Sequence, residues 1–424
     1  MRREKLTARE GWRDIVISQG LSFPDTPRPD GSVTPYWMDD VAYEFTIEQI
    51  EELESVTAQL WDMSLKTVEH VLRQGSIGDF GLPAPALEYL RWSWDSQAPT
   101  VYGRFDVAWD GIGQPKLLEF NADTPTGLIE SSVCQWFWLN DQKPGHDQYN
   151  SLHERLVEVW RRIANKIPIG GIHFAYLDDL AEGEDWVTTA YMRDTATEAG
   201  NATSELYVNE IGYDTNGWFV DQHDAKITAL FKLYPWEDLL EEPFGSHLME
   251  TKDRIKWFEP AWKAILSNKA FLAAIWKLFP DHPLLLPAYV GEPRELTHYA
   301  KKPLFGREGD MVTLHTPEGD VVNKSDSRYG PEGYVYQQYH PLPDFDGSHP
   351  VLGLWVVDHS PAGMGIRESD SLITDYFARF TPHYISNAAP PDAKQTAEWI
   401  AEDYPAPGPG LADASAPSAA EGTR

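Results

Sequence analysis

The sequence predicts a mixed α/β (α+β) protein, and three observations carry that expectation. Residues 46–74 place apolar side chains at helical spacing, residues 173–210 read as strand–helix–strand, and residues 298–357 alternate short strand-like runs with glycine-containing turns. Length sets the scale: 424 residues point to one large elaborated domain or two to three intertwined lobes. Hydrophobic residues at 42% and aromatics at 12% supply a real core, which excludes wholesale disorder.

The elements follow in order. Ile47, Ile50, Leu53, Leu60, Met63, Leu65 and Val68 form one stripe of the first helix, and Thr46 with Glu48 suits its start. A second helix is expected over 149–167. HFAYLDD (173–179), a helical stretch to about Ala199 and SELYVNE (204–210) make a parallel unit. Residues 259–280 read as a buried helix pair or one long helix stopped by Pro280. Past Asn387 the chain turns to Ala, Pro, Ser and Gly. This assigns 1–387 to the folded domain and 388–424 to a poorly ordered tail.

Charge limits the partners. Thirty-five Lys and Arg stand against 66 Asp and Glu, a net charge of −31. Such a surface repels phosphate backbones, so no nucleic-acid partner is expected, and it attracts cations such as polyamines. Acidity also serves solubility alone, and net charge does not separate the two readings. The single cysteine, Cys134, excludes an internal disulfide and a Cys-based zinc site, and reads as a small buried hydrophobe. No run of about 18 apolar residues occurs, and the basic N-terminus lacks the apolar stretch of a signal peptide, so a cytoplasmic protein without membrane contact is expected.

Chemistry concentrates in VYGRFDVAWDGIGQPKLLEFNADTPTG, residues 101–127, where two alternating runs flank Asp110-Gly111-Ile112-Gly113 and predict a β-hairpin. Strand alternation puts Arg104 and Asp106 on one face, and Glu119 and Asn121 on one face with Leu118 and Phe120 opposite. With a loop of residues 111–114, Asp106 lies opposite Glu119 and Arg104 opposite Asn121. Two opposed carboxylates repel unless a cation sits between them, so replacing one relieves repulsion in the ligand-free protein. Asp, Glu and an Asn carbonyl are the hard ligands Mg²⁺ takes together with substrate phosphates. The alternative is a solvated hairpin face on which Arg104 merely neutralises the acids. Lys269, Lys302, Arg367 and the Gly306–Gly309 loop around Arg307 add cationic and backbone N–H groups suited to phosphates. Each taken singly also reads as a solvated lysine, an ordinary turn or a plain ion pair.

Taken together, RFD at 104–106, LLEFNADTPTGLIE at 117–130, LYPWE at 233–237, EPAWKAILSNKA at 259–270, KKPLFGREG at 301–309, YVYQQY at 334–339 and GMGIRE at 363–368 resemble the synthetase domain of the glutathionylspermidine synthase family. The likeness runs over about residues 30–387. It implies an ATP-grasp ligase fold in circularly permuted order, with nucleotide held between antiparallel sheets beside a pre-ATP-grasp α/β lobe. It implies Asp106, Glu119 and Asn121 as ligands of two Mg²⁺ ions and Arg104 as the stabiliser of the transferring phosphoryl group and the tetrahedral intermediate. Lys269, Lys302 and Arg367 would contact ATP phosphates, Gly306, Arg307 and Gly309 would form a mobile lid, and Gln337 would lie near adenine. The reaction implied joins small-molecule carboxylate and amine substrates through an acyl phosphate, the amine being a polyamine or an amino acid. The bifunctional relatives' Cys/His amidase has no counterpart before residue 46, so hydrolase activity is not expected. Two other readings stand beside this one: a non-catalytic Mg-ATP-binding module, and a carbohydrate-active hydrolase that leaves the lysines and the GREG loop without a role.

Overall fold

A computed structural model describes residues 1–386 apart from 168–169, 178–182 and 324–327; the tail expected at 388–424 lies outside the described residues. The first helix runs Ile47–Gln74, and its start is a reciprocal cap. The Gln49 N–H donates to Thr46 Oγ1 at 3.3 Å while the Thr46 N–H donates to Gln49 Oε1 at 3.1 Å. Gly75 ends it at φ 72°, a left-handed conformation that glycine adopts without strain. Ile50, Leu53, Leu60, Met63 and Val68 are buried, whereas Ile47 on the first turn is exposed and Leu65 half-buried. The buried face packs on strands His349–Val357 and Ser360–Ser369 and on helix Ala270–Leu278.

Those two strands belong to a five-stranded antiparallel sheet ordered Arg379–Phe380, Ser360–Ser369, His349–Val357, Tyr102–Ala108, Lys116–Asn121. A second antiparallel sheet is ordered Ala288–Val290, Tyr334–Gln338, Tyr299–Pro303, Thr313–Thr316, Gly319–Val322. The expected parallel unit is present: Ile172–Tyr176, helix Glu184–Glu198 and Thr203–Tyr207 form a four-stranded parallel sheet with Ala229–Leu233 and Lys256–Phe258. Its last predicted strand stops at Tyr207 because the Tyr207 N–H turns to Glu210 Oε2 at 2.9 Å.

Two helices are shorter than their periodicity suggests. The second runs Leu152–Ile163, since residues 149–151 pair instead with the central sheet: Met364 N–H donates to Tyr149 O and Ser151 N–H to Ala362 O. Residues 259–280 break into Ala261–Lys263, Ala264–Ser267 and Ala270–Leu278. Asn268 makes the break, its extended backbone held by Nδ2 donating to Phe80 O (2.7 Å) and by Oδ1 accepting the Ala270 N–H (2.8 Å). Arg2–Lys5, Val41–Phe45 and His383–Ile385 pair as a small sheet that no sequence pattern announced. Among the described residues no helix is long and apolar enough to cross a membrane.

Thr46→Ala removes one half of the cap. It should lower the unfolding free energy by about 1 kcal/mol, read as an earlier urea midpoint with an unchanged slope.

Candidate functional site

The hairpin forms in the anticipated register, Arg104 opposite Asn121 and Asp106 opposite Glu119, by an unanticipated route. Its loop is 109–115 rather than 111–114, and a bulge between Asp106 and Val107 restores the pairing. The extra residue is Leu118. It lines the same cleft as Asp106 and Glu119, so the expected placement on the opposite face does not hold. Phe120 does turn inward and stacks on Phe105 at 3.7 Å between ring centroids.

The carboxylates do not face each other bare. Asp106, 2% exposed, takes Arg104 Nε at 2.7 Å and Nη2 at 3.1 Å, and Arg367 Nη2 at 2.6 Å. Glu119 takes Lys269 Nζ at 3.0 Å, and Asn121 Nδ2 donates to both acids, at 2.9 Å to Glu119 and 3.2 Å to Asp106. Lys302 Nζ donates to Gln337 Oε1 (2.8 Å) and Leu118 O (2.9 Å), and Gln337 Nε2 donates to Leu117 O (2.9 Å). Gln337 thus ties the second sheet to the hairpin edge. Arg104 lies flat across the strand because Gly353 stands opposite Asp106: a Cβ there would sit 2.7 Å from Arg104 Cδ. The break at Asn268 aims Lys269 at Glu119, a service an unbroken helix could not perform.

Electrostatics follow from this crowding. Burial alone would raise the Glu119 carboxyl, but Lys269 and Lys302, with Asn121 and Arg367, hold it well below the carboxylate range. Burial pushes the Lys302 ammonium down to about 8, against the pull of Glu119. Four cationic side chains therefore surround two hairpin carboxylates inside a protein of net charge −31. An anion is what such a site attracts.

The cleft lies between the two antiparallel sheets and encloses about 880 Å³ counted to its open mouth. Asp106, Glu119, Lys269, Lys302 and Arg367 line it together with Leu118 and with an apolar group in which Ala300, Leu314 and Ile373 pack against Val312. No group of three or more His, Cys, Asp or Glu side chains fit for a metal occurs among the described residues. Asp106, Glu119 and Asn121 are therefore not a closed cage. Two hard carboxylates bridged by one amide fit Mg²⁺ that keeps waters and completes its shell with phosphate oxygens. A half-turn of the Asn121 amide would present its oxygen in place of Nδ2.

Gly306, Glu308 and Gly309 also line the cleft, and Gly309 (φ +69°) has no room for a side chain, since a Cβ would lie 2.8 Å from Thr374 O. Arg307 departs from the expectation. It does not line the cleft: its guanidinium donates to Glu237 Oε1 at 2.6 Å and to Thr124 Oγ1 at 2.8 Å. That ion pair, with Asn323 Nδ2 donating to Gly309 O, ties the loop down where a freely moving one was expected.

A second pocket, about 1130 Å³, shares Arg367 and Glu308 with the cleft and is lined also by Arg104, Thr126, Gly127, Tyr36 and Glu184. Sequence reasoning missed Tyr36 and Glu184, and missed the buried pairs behind the hairpin. Lys232 Nζ sits 2.8 Å from Asp123, whose other oxygen accepts the Trp236 N–H. Lys263 pairs with Glu259, which accepts the Val101 and Tyr102 N–H groups and the Thr100 hydroxyl. All four lie in the quoted motifs or the strand beside them; Asp123 and Lys232, 109 residues apart, leave no local spacing to read, whereas Glu259 and Lys263 stand four residues apart within one motif. Cys134 is buried as expected, and burial pushes its thiol up.

The cation-rich surroundings reverse the expected effect of removing a carboxylate. Asp106→Asn leaves Arg104 and Arg367 facing no anion and should cost about 3 kcal/mol, lowering the thermal midpoint without nucleotide. Glu119→Gln, with a more exposed side chain, should cost less. A midpoint at or above the parent's for Asp106→Asn would restore the repulsion argument.

Comparison with known proteins places the chain in a family. The family model for the glutathionylspermidine synthase preATP-grasp matches residues 3–386. A Haemophilus influenzae protein named as a candidate acid–amine ligase is 39% identical over 382 residues, covering 87% of this chain and 95% of its own. Trypanothione synthetase of Crithidia fasciculata is 30% identical, covering 81% of this chain and 57% of its own. The bifunctional glutathionylspermidine synthetase/amidase of Escherichia coli is 26% identical, covering 78% and 57%. In structure, a glutathione synthetase-like effector from Globodera pallida superimposes with a TM-score of 0.53 at 11% identity, over 89% of this chain and 96% of its own, a likeness of fold. The chain belongs to the glutathionylspermidine synthase family, the ATP-dependent carbon–nitrogen ligases.

Proposed function

We propose that the protein joins a small-molecule carboxylate to an amine at the cost of ATP, through an acyl phosphate, on an ATP-grasp-like frame whose metal hairpin precedes its nucleotide lysines. The observation that supports this most is the cleft between antiparallel sheets, which joins Lys269, Lys302 and Arg367 to an apolar group of Ala300, Leu314 and Ile373 and shares Arg367 and Glu308 with a second pocket edged with carboxylates. In this reading the adenine rests against Ala300, Leu314 and Ile373. Lys269, Lys302 and Arg367 receive the phosphates, while Gln337 fixes Lys302. Arg104, which lines the second pocket, holds the acid's carboxylate and then the oxyanion of the tetrahedral intermediate. Arg307 keeps the Gly306–Gly309 loop seated above. When bound at Asp106, Glu119 and Asn121, two Mg²⁺ ions would supply charge neutralisation for the transferring phosphoryl group.

The protein's own contribution is alignment and desolvation. Asp106 keeps the guanidiniums of Arg104 and Arg367 fixed, so no side chain has to reorganise as charge moves. Carboxylates of Glu184, Glu308 and Asp375 around the second pocket suit an ammonium, which favours a polyamine or amino-acid amine. Residues 1–387 would form the synthetase domain of a cytoplasmic protein.

The reaction is tested by ADP release with Mg-ATP against a panel of acids (glutathione, glutamate and their analogues) and amines (spermidine, putrescine, amino acids). ADP should appear with a matching pair, and hydroxylamine should trap the acyl phosphate as a hydroxamate. Tight Mg-ATP binding without ADP for any pair would instead identify a nucleotide-binding module.

Lys302 gives a pH signature. Its ammonium is fully present below about 8 in the ligand-free protein and is lost above it. Bound phosphate favours the charged form, so ATP affinity should fall as pH rises through 8, by up to about tenfold per unit. Calorimetric titration from pH 7 to pH 9.5 checks this, and Lys302→Met should bind weakly with that step absent.

A further inference from the structure

One buried acid reaches the second pocket through a tyrosine. Tyr36 follows the short strand Val33–Pro35, and its backbone is fixed by its N–H donating to Pro24 O (2.9 Å) and by its O accepting the Phe380 N–H (2.8 Å). The side chain lines the pocket together with Arg104, Gly127, Glu184 and Arg367. Its hydroxyl donates to Glu130 Oε1 at 2.7 Å. Glu130 is 1% exposed, behind the pocket wall, and opens the π-helical turn Glu130–Cys134 that precedes helix Gln135–Gln142. Such turns are rare and concentrate at functional sites. Unlike the buried Asp123 and Glu259, each held by a lysine, Glu130 has no ion-pair partner among the described residues, and a buried acid so placed beside a pocket is a functional candidate.

We infer that Tyr36 and Glu130 form the proton relay for the amine nucleophile. The inference rests on the ligase reading. An aliphatic amine at neutral pH is almost wholly ammonium; it gives its first proton to solvent and attacks as the neutral form. The nitrogen lone pair bonds to the acyl carbon, and the carbon–oxygen bond to phosphate breaks with its electron pair leaving on phosphate. The surplus proton on nitrogen passes to Tyr36 Oη as the Tyr36 proton passes to Glu130. Tyr36 is the catalytic residue, the one placed to touch the amine, and Glu130 acts through it. After product leaves, the proton returns to solvent by the same path.

The surroundings suit a carboxyl that must gain and lose a proton near neutrality. Burial, then the charge of Glu184 at the start of helix Glu184–Glu198, push the Glu130 carboxyl up to about 7. The Tyr36 hydrogen bond and Arg104 from the hairpin oppose them. Arg367 from strand Ser360–Ser369 acts on Tyr36, and Cys134 on the same turn as Glu130 has its thiol pushed up by burial and stays neutral. A group poised there is a matched acceptor at physiological pH.

The test compares two nucleophiles on the full chain, using the acid and amine of the panel with the highest turnover, and hydroxylamine, whose weakly basic nitrogen holds the surplus proton loosely after attack and passes it to water without a relay. Glu130→Gln keeps an oxygen for the Tyr36 hydroxyl, so the fold and hydroxamate formation should persist. Amide formation should fall about 100-fold, mostly in kcat, and the limb near pH 7 should vanish from its pH profile. Glu130→Asp should recover part of the rate. Tyr36→Phe should show the same split between nucleophiles and carries the test if Glu130→Gln does not fold. Equal losses of amide and hydroxamate, or a retained limb near pH 7, would overturn the relay while leaving the ligase intact. Absence of ADP release by the parent with every pair would sink the ligase reading and the relay with it.

Discussion

The charge balance around the Asp106–Glu119 pair is the constraint on which the site depends. Two carboxylates on adjacent strands are held at hydrogen-bonding range of one amide, and four cations, one from the hairpin itself and three from elsewhere in the chain, surround them. Arg104 comes from the same strand, Arg367 from the far side of the sheet, Lys269 from a helix break and Lys302 from the second sheet. Remove the acids and these cations have nothing to converge on. Remove the cations and two like charges face each other across adjacent strands without a partner. The surplus of positive charge then selects an anion within an otherwise strongly acidic molecule.

Rigidity behind the hairpin makes that balance a fixed one. Glu259 and Lys263 clamp the start of strand Tyr102–Ala108 through the N–H groups of Val101 and Tyr102 and the carbonyl of Tyr102. Asp123 and Lys232 do the same for the turn after Asn121, where Ser267 Oγ accepts the Ala122 and Asp123 N–H groups. These pairs lie at the junction of the parallel sheet and the antiparallel one. They hold the strand ends that carry Arg104 and Asn121, so these side chains are set before any ligand arrives. Arg104 lines the second pocket, and Arg367 lines both it and the cleft.

What the sequence made legible was local. Periodicity located the long helix and its cap, and alternation with a turn signal located the hairpin and paired Asp106 with Glu119. That pairing is correct because two offsets cancel, a longer loop and the bulged Leu118, and alternation alone shows neither. The sequence left residues 259–280 open between a helix pair and one long helix, and it did not place the break at Asn268, which is held by a hydrogen bond to Phe80, 188 residues away. Arg307 looked like a phosphate ligand because glycines bracket it; only its distance to Glu237 shows that it is spent on the loop. Tyr36 carried no signal at all, and Glu130 only its place beside the hairpin, since a proton relay is defined by contact across 94 residues and by burial.

The claim that the hairpin acids hold metal jointly with nucleotide is tested most directly by titrating Mn²⁺ as a spectroscopic substitute for Mg²⁺, read by electron paramagnetic resonance. The parent, Glu119→Gln and Asn121→Ala are compared with and without a non-hydrolysable ATP analogue. The account predicts tight Mn²⁺ uptake by the parent only when the analogue is present, and uptake weakened about tenfold or more in both variants, in line with the loss of a ligand or its support. Equal Mn²⁺ affinity in all three proteins would contradict it.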